Sequence, residues 1–334
     1  MRRTVLLTAA LGLACGGCGD SGPAMPDTTK TVPVVPEQYE RRDLDTWMGL
    51  EAGAPAEERA AQAFALAALE KEPIRAAPVL LRLLQDEDAS VRLAAVIASG
   101  RLAPPSKRLA AVLARMLASD DEPLRRHARE ALGALGAAAL DPLRGALAAE
   151  ALRVRWGALY ALARIGRPAE PLAGLVAQRA REGEHEAERR QARFTLARLG
   201  GAGAEACAAF LGSEEAAERD EAAAALAFSG ADGVPPLLRL IQGEDEVGAA
   251  VAAGVLEDIA RRGPLGPQAA QAAAVLVGAL DREGPVRFNA MDALTAMGAE
   301  ARSAVEELSR TGSADLQQVA AVILEGIAEV EGAR

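Results

Sequence analysis

The chain has 334 residues, half of them apolar, yet only nine are aromatic, and its formal net charge is −10. A core so rich in alanine and so poor in aromatic side chains favours closely packed helices, and no alternating β-branched run predicts a strand. The negative charge argues against a general nucleic-acid-binding protein. However, residues 101–200 carry 18 Lys+Arg against 11 Asp+Glu, whereas residues 201–334 carry 9 against 22.

The N-terminal residues have the pattern of an export signal. Two arginines precede an apolar run from Val5 to Leu13, which is far shorter than the ~20 residues of a membrane-spanning helix. The phrase GLAC, ending at Cys15, resembles the lipobox of bacterial lipoproteins, although Gly12 stands where leucine is usual. Cys18 is the second candidate for acylation.

This resemblance implies a lipoprotein anchored to a membrane outside the cytoplasm, on the periplasmic side of the envelope or at the cell surface. An ordinary secretory signal with incidental cysteines is the alternative. The remaining cysteine, Cys207, lies in an alanine-rich phrase, where a free thiol behaves as a small apolar side chain. The sequence therefore predicts no disulfide framework.

Residues 19–43 are predicted to form a solvated tether, because four prolines fall within fourteen residues and no apolar periodicity is present. Leu44, Trp47 and Met48 then share one helical face, which predicts a helix that caps the following domain. The predicted organisation is a signal peptide and lipobox at 1–18, a tether at 19–43 and a helical domain at 44–334.

One sequence motif recurs along this domain. Examples are VRLAAVIASGRLA from Val91, VRWGALYALARIG from Val154 and VRFNAMDALTAMG from Val286. Alignment on the arginine that follows the leading aliphatic residue gives about nine units, at intervals of 29 to 39 residues. Each unit accommodates two short helices and two turns. The aligned positions are Arg59, Arg92, Arg125, Arg155, Arg189, Arg219, Gly248, Arg287 and Gln317.

Within a unit, the first helix is predicted from phrases with a proline in the first turn, beginning at Ala77, Asp141 and Val234. The second helix buries the leading aliphatic residue and the residues four, seven, eight and eleven positions further on. Glycines are expected to end the second helices in left-handed conformations. These glycines are Gly136, Gly166, Gly200, Gly230 and Gly298.

These residues carry a family resemblance. The stretch APVLLRLLQDEDASVRLAAVIASGRLA resembles a HEAT repeat of the short, phycobilisome-lyase-like type, and the similarity recurs from about Ala56 to Ala328. The resemblance implies an all-α fold, an α-solenoid of about nine helical hairpins. It also implies a structural role for the repeated arginines, which pair with turn acids of neighbouring units. These arginines are Arg92, Arg125, Arg155 and Arg287, and the turn acids include Asp86, Asp120 and Asp281.

An enzyme is the alternative function, since HEAT-like proteins include metal-dependent hydroxylases and phycobilin lyases. The hydroxylases hold two irons with several His-Glu pairs, whereas this chain has only His127 and the single pair His185–Glu186. No nucleophile–base pair or phosphate loop is present in the repeats. HEAT-like DNA glycosylases are disfavoured by export and by the acidic C-terminal units. The sequence predicts no catalytic residue, no metal and no cofactor; a purely structural envelope protein remains a further alternative.

A binding role has positive evidence on the outward side of the second helices. Positions two, five, six and nine after the leading aliphatic residue should be polar, because second helices line the concave face of α-solenoids. Instead they include large apolar side chains interleaved with arginines, the residue types that dominate protein interfaces. These residues are Phe64, Leu93, Val96, Ile97, Trp156, Leu159, Tyr160, Phe194, Phe288 and Met291, with Arg126, Arg129, Arg190 and Arg193.

The sequence thus predicts a lipid-anchored scaffold that binds a protein or peptide, and no nucleic acid, on its concave face. Because the central units are basic, an acidic segment with exposed apolar side chains is the expected ligand. The predicted partner-binding residues are Arg126, Arg129, Trp156, Tyr160, Arg190, Arg193 and Phe194.

Overall fold

The computed structural model describes residues 43–69, 73–103 and 105–332, and these residues are helical apart from short connections. The predicted signal peptide, both candidate lipidation sites and nearly all of the predicted tether lie outside the described residues. No described helix is both long enough and apolar enough to cross a membrane.

The helices alternate between two layers. The odd-numbered helices are α1 (Leu44–Met48), α3 (Pro73–Leu83), α5 (Lys107–Met116), α7 (Leu140–Leu147), α9 (Ala173–Glu182), α11 (Gly201–Ala208), α13 (Val234–Gln242), α15 (Ala269–Ala279) and α17 (Ala299–Thr311). The even-numbered helices are α2 (Ala56–Leu69), α4 (Ala89–Leu102), α6 (Glu122–Leu135), α8 (Leu152–Ile165), α10 (Glu186–Leu196), α12 (Ala216–Leu226), α14 (Glu246–Arg262), α16 (Pro285–Met297) and α18 (Ala314–Gly332).

Each odd helix pairs with the even helix that follows it, and each layer stacks in chain order, α2 on α4 on α6 and α3 on α5 on α7. This is an α-solenoid of helical hairpins, as predicted. A continuous core of alanine, leucine and valine runs between the layers through the described residues. We call the outer surfaces of the two layers the even-helix face and the odd-helix face.

Local sequence signals explain most helix ends. All five glycines predicted to end second helices have positive φ, between 57° and 87°, which side chains with a Cβ rarely adopt. Three of them end second helices as predicted, whereas α10 and α12 end before Ala197 and Ala227, so that Gly200 and Gly230 lie in the connections that follow. Asp88 accepts hydrogen bonds from the backbone N–H groups of Ser90 and Val91, which caps the start of α4. At the N-terminal end, Trp47 is buried and α1 packs on α2, so α1 covers the first end of the stack as predicted.

One helix start was predicted incorrectly. α3 begins at Pro73, so that Pro78 lies inside the helix and not in its first turn. A proline at this position cannot donate to the carbonyl of Ile74, one turn earlier. Ile74 is 72% exposed, so water can solvate that carbonyl, whereas in α13 the proline at Pro235 stands at the helix start as predicted.

The repeated arginines stabilise the turns in two ways. Arg92 donates to the backbone carbonyls of Asp86 and Glu87, and Arg125 donates to that of Ser119, so these two arginines bind the carbonyls that follow their own first helix. The prediction that they pair with acids of neighbouring units is wrong for both. Carbonyls left free at the end of a helix need such donors.

The predicted ladder of inter-unit ion pairs does exist elsewhere. Arg155 pairs with Glu188 of the next unit, and Arg287 pairs with Asp315 of the next unit. Asp86 pairs with Arg59 of the preceding unit at 2.7 Å. Thus the partners are partly turn acids and partly acids on the second helix.

The predicted register of the seventh unit is one residue too early. Val247 is 50% exposed, whereas Gly248 and the residues four, seven, eight and eleven positions after it are buried. Gly248 therefore occupies the leading aliphatic position, and Ala249 occupies that of the arginine.

Candidate functional site on the even-helix face

The residues predicted to bind a partner lie on three consecutive even helices. Arg126 and Arg129 are on α6, Trp156 and Tyr160 are on α8, and the remaining three are on α10. Since α6 packs on α8 and α8 on α10, the chain brings these helices side by side. The side chains, however, divide into an accessible group and a buried group.

The accessible group is centred on two aromatic rings. Trp156 and Tyr160 are one helical turn apart, partly exposed and stacked, with ring centroids 5.9 Å apart and an interplanar angle of 25°. The guanidinium carbon of Arg129 lies 5.0 Å from the Trp156 centroid and 4.8 Å from the Tyr160 centroid. We call these three residues the Arg129 cluster. The cation–π contacts hold the guanidinium group of Arg129 in place without an ion pair to a carboxylate.

Arg129 keeps hydrogen-bonding capacity in this arrangement. Its Nε atom is buried and has no hydrogen-bond acceptor among the described residues, and no described carboxylate pairs with its guanidinium. Arg126, one turn earlier on α6, is partly exposed and likewise has no described ion-pair partner. The terminal nitrogens of these two arginines are therefore available to an external acceptor.

Arg193 contradicts the prediction of an outward-facing side chain. It is only 1% exposed and pairs with Glu186 at 2.8 Å, with Glu218 at 2.9 Å and with Glu221. Burial opposes its charge, but hydrogen bonds and charge interactions with Glu221 and Glu186 outweigh that effect and raise the pKa of Arg193. The helical wheel of α10 could not reveal this burial, because two of the three carboxylates come from α12.

The other two residues of α10 add little accessible positive charge. Arg190 is exposed, but its Nε atom lies 2.9 Å from a carboxylate oxygen of Glu221. Phe194 is partly buried beneath Arg198, whose guanidinium carbon lies 5.7 Å from the ring centroid. The basic surface available to a ligand therefore lies on α6 and α8 and does not extend across α10 as predicted.

Other outward positions also differ from the prediction. Phe64, Val96 and Leu159 are at most 8% exposed, because neighbouring even helices cover them. Phe288 is 63% exposed, as predicted. The sequence pattern does not predict Phe228, which is 53% exposed just after α12, with the guanidinium carbon of Arg262 on α14 4.0 Å from its ring centroid. Phe228 lies ten residues after the leading position, outside the positions considered.

The described residues offer little reactive chemistry. No group of three or more described His, Cys, Asp or Glu side chains could hold a metal ion. His127 contacts Glu130 of its own helix at 3.1 Å, and His185 is exposed just before α10. Burial raises the pKa of the Cys207 thiol to about 12, so the nucleophilic thiolate is scarce at neutral pH.

Comparison with known proteins identifies the repeat. Residues 49–133, which include α2 to α5 and most of α6, match the family of HEAT repeats. The later hairpins have the same helix order and stacking. Residues 49–133 thus contain HEAT repeats, and the match does not distinguish the phycobilisome-lyase-like type. No curated protein matches the chain.

Among solved structures, a crystal structure of importin beta is 15% identical with a TM-score of 0.42, covering 85% of this chain and 45% of that one. A crystal structure of a Kap121p mutant is 14% identical with a TM-score of 0.42, covering 81% of this chain and 35% of that one. The chain spans less than half of either protein, and at these similarities the partners of those proteins say nothing about its own.

Proposed function

We propose that the protein is a lipid-anchored, extracytoplasmic HEAT-repeat scaffold that binds an acidic segment of a protein or peptide at the Arg129 cluster and carries out no reaction. The observation that carries the proposal is the cluster itself. Two large aromatic rings and an arginine without a carboxylate partner lie together on neighbouring even helices. Tryptophan, tyrosine and arginine supply most of the energetically dominant contacts in protein interfaces.

The charge around the cluster supports an acidic ligand. Arg126 and Arg129 have no carboxylate partner among the described residues, and Arg164 on α8 is exposed without one. The carboxylates of Glu186, Glu218 and Glu221, by contrast, already pair with the arginines of α10. A ligand carboxylate would therefore find unpaired cations at α6 and α8.

The anchored location rests on the sequence pattern that ends at Cys15 and Cys18. Acylation of either cysteine would tie the scaffold to a membrane. Intact-mass analysis of the mature protein tests this part of the proposal directly, because an acylated N-terminal cysteine adds the mass of its lipid. A mature chain that starts elsewhere and carries no lipid would contradict it.

Replacing Trp156 by alanine tests the binding site. The native protein is first crosslinked in its envelope to capture the partner, and the affinity of the purified partner is then measured for each variant. Loss of an interface anchor should weaken binding by about 2 kcal/mol or more, roughly thirty-fold. Because Trp156 is only partly buried, the unfolding midpoint should change much less than for the fully buried Leu162.

Val322→Ala is the matched control, because Val322 is an exposed apolar side chain on α18, far from the cluster. Its affinity for the partner should equal that of the unmodified protein. Equal affinities of Trp156→Ala and Val322→Ala would place the binding site elsewhere. A Trp156→Ala variant that unfolds would instead assign the ring to the core.

A further inference from the structure

The odd-helix face has a charge asymmetry that the proposed function does not use. The four helices α3, α5, α7 and α9 contain eight lysines and arginines against two carboxylates. The next four, α11, α13, α15 and α17, contain three against four. Positive charge is thus concentrated on the N-terminal half of this face.

The cations of this half form exposed stripes. Arg108 and Arg115 are two turns apart on one side of α5, and Arg82, Arg144 and Arg181 are exposed on the neighbouring odd helices. None of these five guanidinium groups pairs with a carboxylate among the described residues, and only Arg82 donates to other acceptors there, the Leu50 carbonyl and the Gln62 side chain. Since stacked helices lie about 10 Å apart, the stripes together span roughly 30 Å. We call these five residues the basic odd-helix surface.

Apolar side chains accompany these cations. Ile74 on α3 is 72% exposed and Leu175 on α9 is 40% exposed, at the two ends of the basic odd-helix surface. A groove of about 660 Å³ between α3 and α5 is lined by Ile74, Pro78 and Leu81 together with Arg82 and Arg108. The surface therefore combines several unpaired cations with apolar groups that could enter an interfacial layer.

We propose that the basic odd-helix surface docks on a bilayer through anionic lipid headgroups. Guanidinium groups bind phosphate oxygens in a bidentate manner, and each cation near an anionic membrane adds to the attraction. The exposed side chains of Ile74 and Leu175, at the two ends of the surface, would reach the boundary between headgroups and acyl chains. In this arrangement the even-helix face, with the Arg129 cluster, points away from the membrane.

The position of the predicted anchor favours a bilayer over a soluble acidic protein as the ligand of this surface, because the anchor joins the stack at its N-terminal end. The 24 residues between Cys18 and Asp43 reach at most about 80 Å when extended, and they lead directly into α1. The basic surface begins two helices later, at α3, so the cations lie on the hairpins nearest the anchor. The inference shares with the proposed function only the location at a membrane; it does not depend on partner binding.

The test uses a chain that begins at residue 19, which lacks the signal and both candidate cysteines but retains every described helix. Binding is measured by co-sedimentation with phosphatidylcholine vesicles with and without phosphatidylglycerol. The protein should bind only the anionic vesicles, and the affinity should fall steeply as salt screens the charges. Arg108→Glu/Arg144→Glu should weaken binding roughly thirty-fold or more.

Arg101→Glu/Arg164→Glu is the matched control, because it changes the net charge equally but lies on α4 and α8, in the even layer. It should weaken vesicle binding less than about three-fold. Equal losses in the two variants would show a non-specific charge effect and overturn the proposal, as would equal binding to vesicles without phosphatidylglycerol. Circular dichroism of both variants separates loss of binding from loss of fold. Because partner binding is not measured, failure here leaves the proposed function standing.

Discussion

Two junctions between even helices show different solutions to the same packing problem. Between α8 and α10, Arg155 forms two hydrogen bonds of 2.8 Å with the carboxylate of Glu188, and both side chains are buried. Between α14 and α16, Gly248 and Ala249 replace the leading aliphatic residue and the arginine. The two helices there pack on each other, and the core side of α14 is lined by small buried residues, including Ala252.

The difference shows that neighbouring even helices of the repeat can be joined either by a buried ion pair or by contacts between small side chains. A buried ion pair is directional, so the Arg155–Glu188 pair holds α8 and α10 in one register. Small side chains allow close approach of helices but specify position less strongly. Between α14 and α16 one hydrogen bond, from Asn289 Nδ2 to the Ala250 carbonyl at 2.8 Å, supplies part of that specificity.

The largest effect is expected from breaking the ion pair. Glu188→Ala leaves the guanidinium of Arg155 buried without its carboxylate, which should lower the free energy of unfolding by about 3–5 kcal/mol. Urea denaturation followed by circular dichroism measures the loss. The corresponding position holds valine or leucine in several other units, as at Val154 and Leu124, so the fold accepts an apolar residue at this position of the repeat.

The double variant Arg155→Met/Glu188→Leu tests whether the junction needs the ion pair or only the absence of an unpaired buried charge. Replacing a buried ion pair by apolar residues of similar volume is often neutral or stabilising, so this variant should recover most of the lost stability. If the double variant were as unstable as Glu188→Ala, the ion pair or the hydrogen bonds from Arg155 to the carbonyls of Ala149 and Glu150, and not the avoidance of an unpaired charge, would hold the junction together.

A smaller effect is expected from overpacking the core beside α14. Ala252 is fully buried, so Ala252→Leu adds volume where there is no exposed surface and should cost about 1–3 kcal/mol. Ala224→Leu on α12 is the control, because Ala224 is exposed. Equal stability of the two variants in thermal unfolding would show that the core beside α14 is not closely packed.

The smallest effects concern single carboxylates with opposite pKa shifts. A hydrogen bond from Arg59 lowers the pKa of Asp86, so its stabilisation is present above the unfolded-state pKa and is lost as the pH falls. Burial raises the pKa of Glu257, with Asp292 and Asp258 adding to the shift and Arg261 opposing it. The ionised carboxylate of Glu257 therefore lowers the stability of the folded protein, and this loss grows as the pH rises above the pKa of the unfolded chain.

At pH 7, Asp86→Asn should lower the free energy of unfolding by about 1 kcal/mol, whereas Glu257→Gln should raise it by a few tenths, about 0.3 kcal/mol. Both differences should shrink towards zero as the pH falls below about 4, where the carboxyl groups of the unfolded chain become protonated. Urea denaturation from pH 7 to pH 3 measures both. A difference that persisted at low pH would mean that packing, not charge, causes it.

The candidate site was only partly predictable. The spacing of Trp156 and Tyr160 placed both rings on one side of α8, and the structure leaves both partly exposed. The same reasoning failed for Arg193, because the number of carboxylates that reach it depends on how α12 packs against α10. Likewise, Phe228 and Arg262 belong to different helices, and no spacing within one helix predicts their contact.

The sequence by itself determined the number of hairpins, the all-helical fold and the glycine ends of three second helices, α6, α8 and α16. These features depend on the period of apolar residues and on backbone conformation, which are local properties of the chain. The tertiary structure alone decided which arginines bind backbone carbonyls, which form buried pairs and which remain accessible to a ligand. The reason is physical: an arginine side chain is long and charged, so its environment is set by groups on the next helix of the stack, about 30 residues away in sequence.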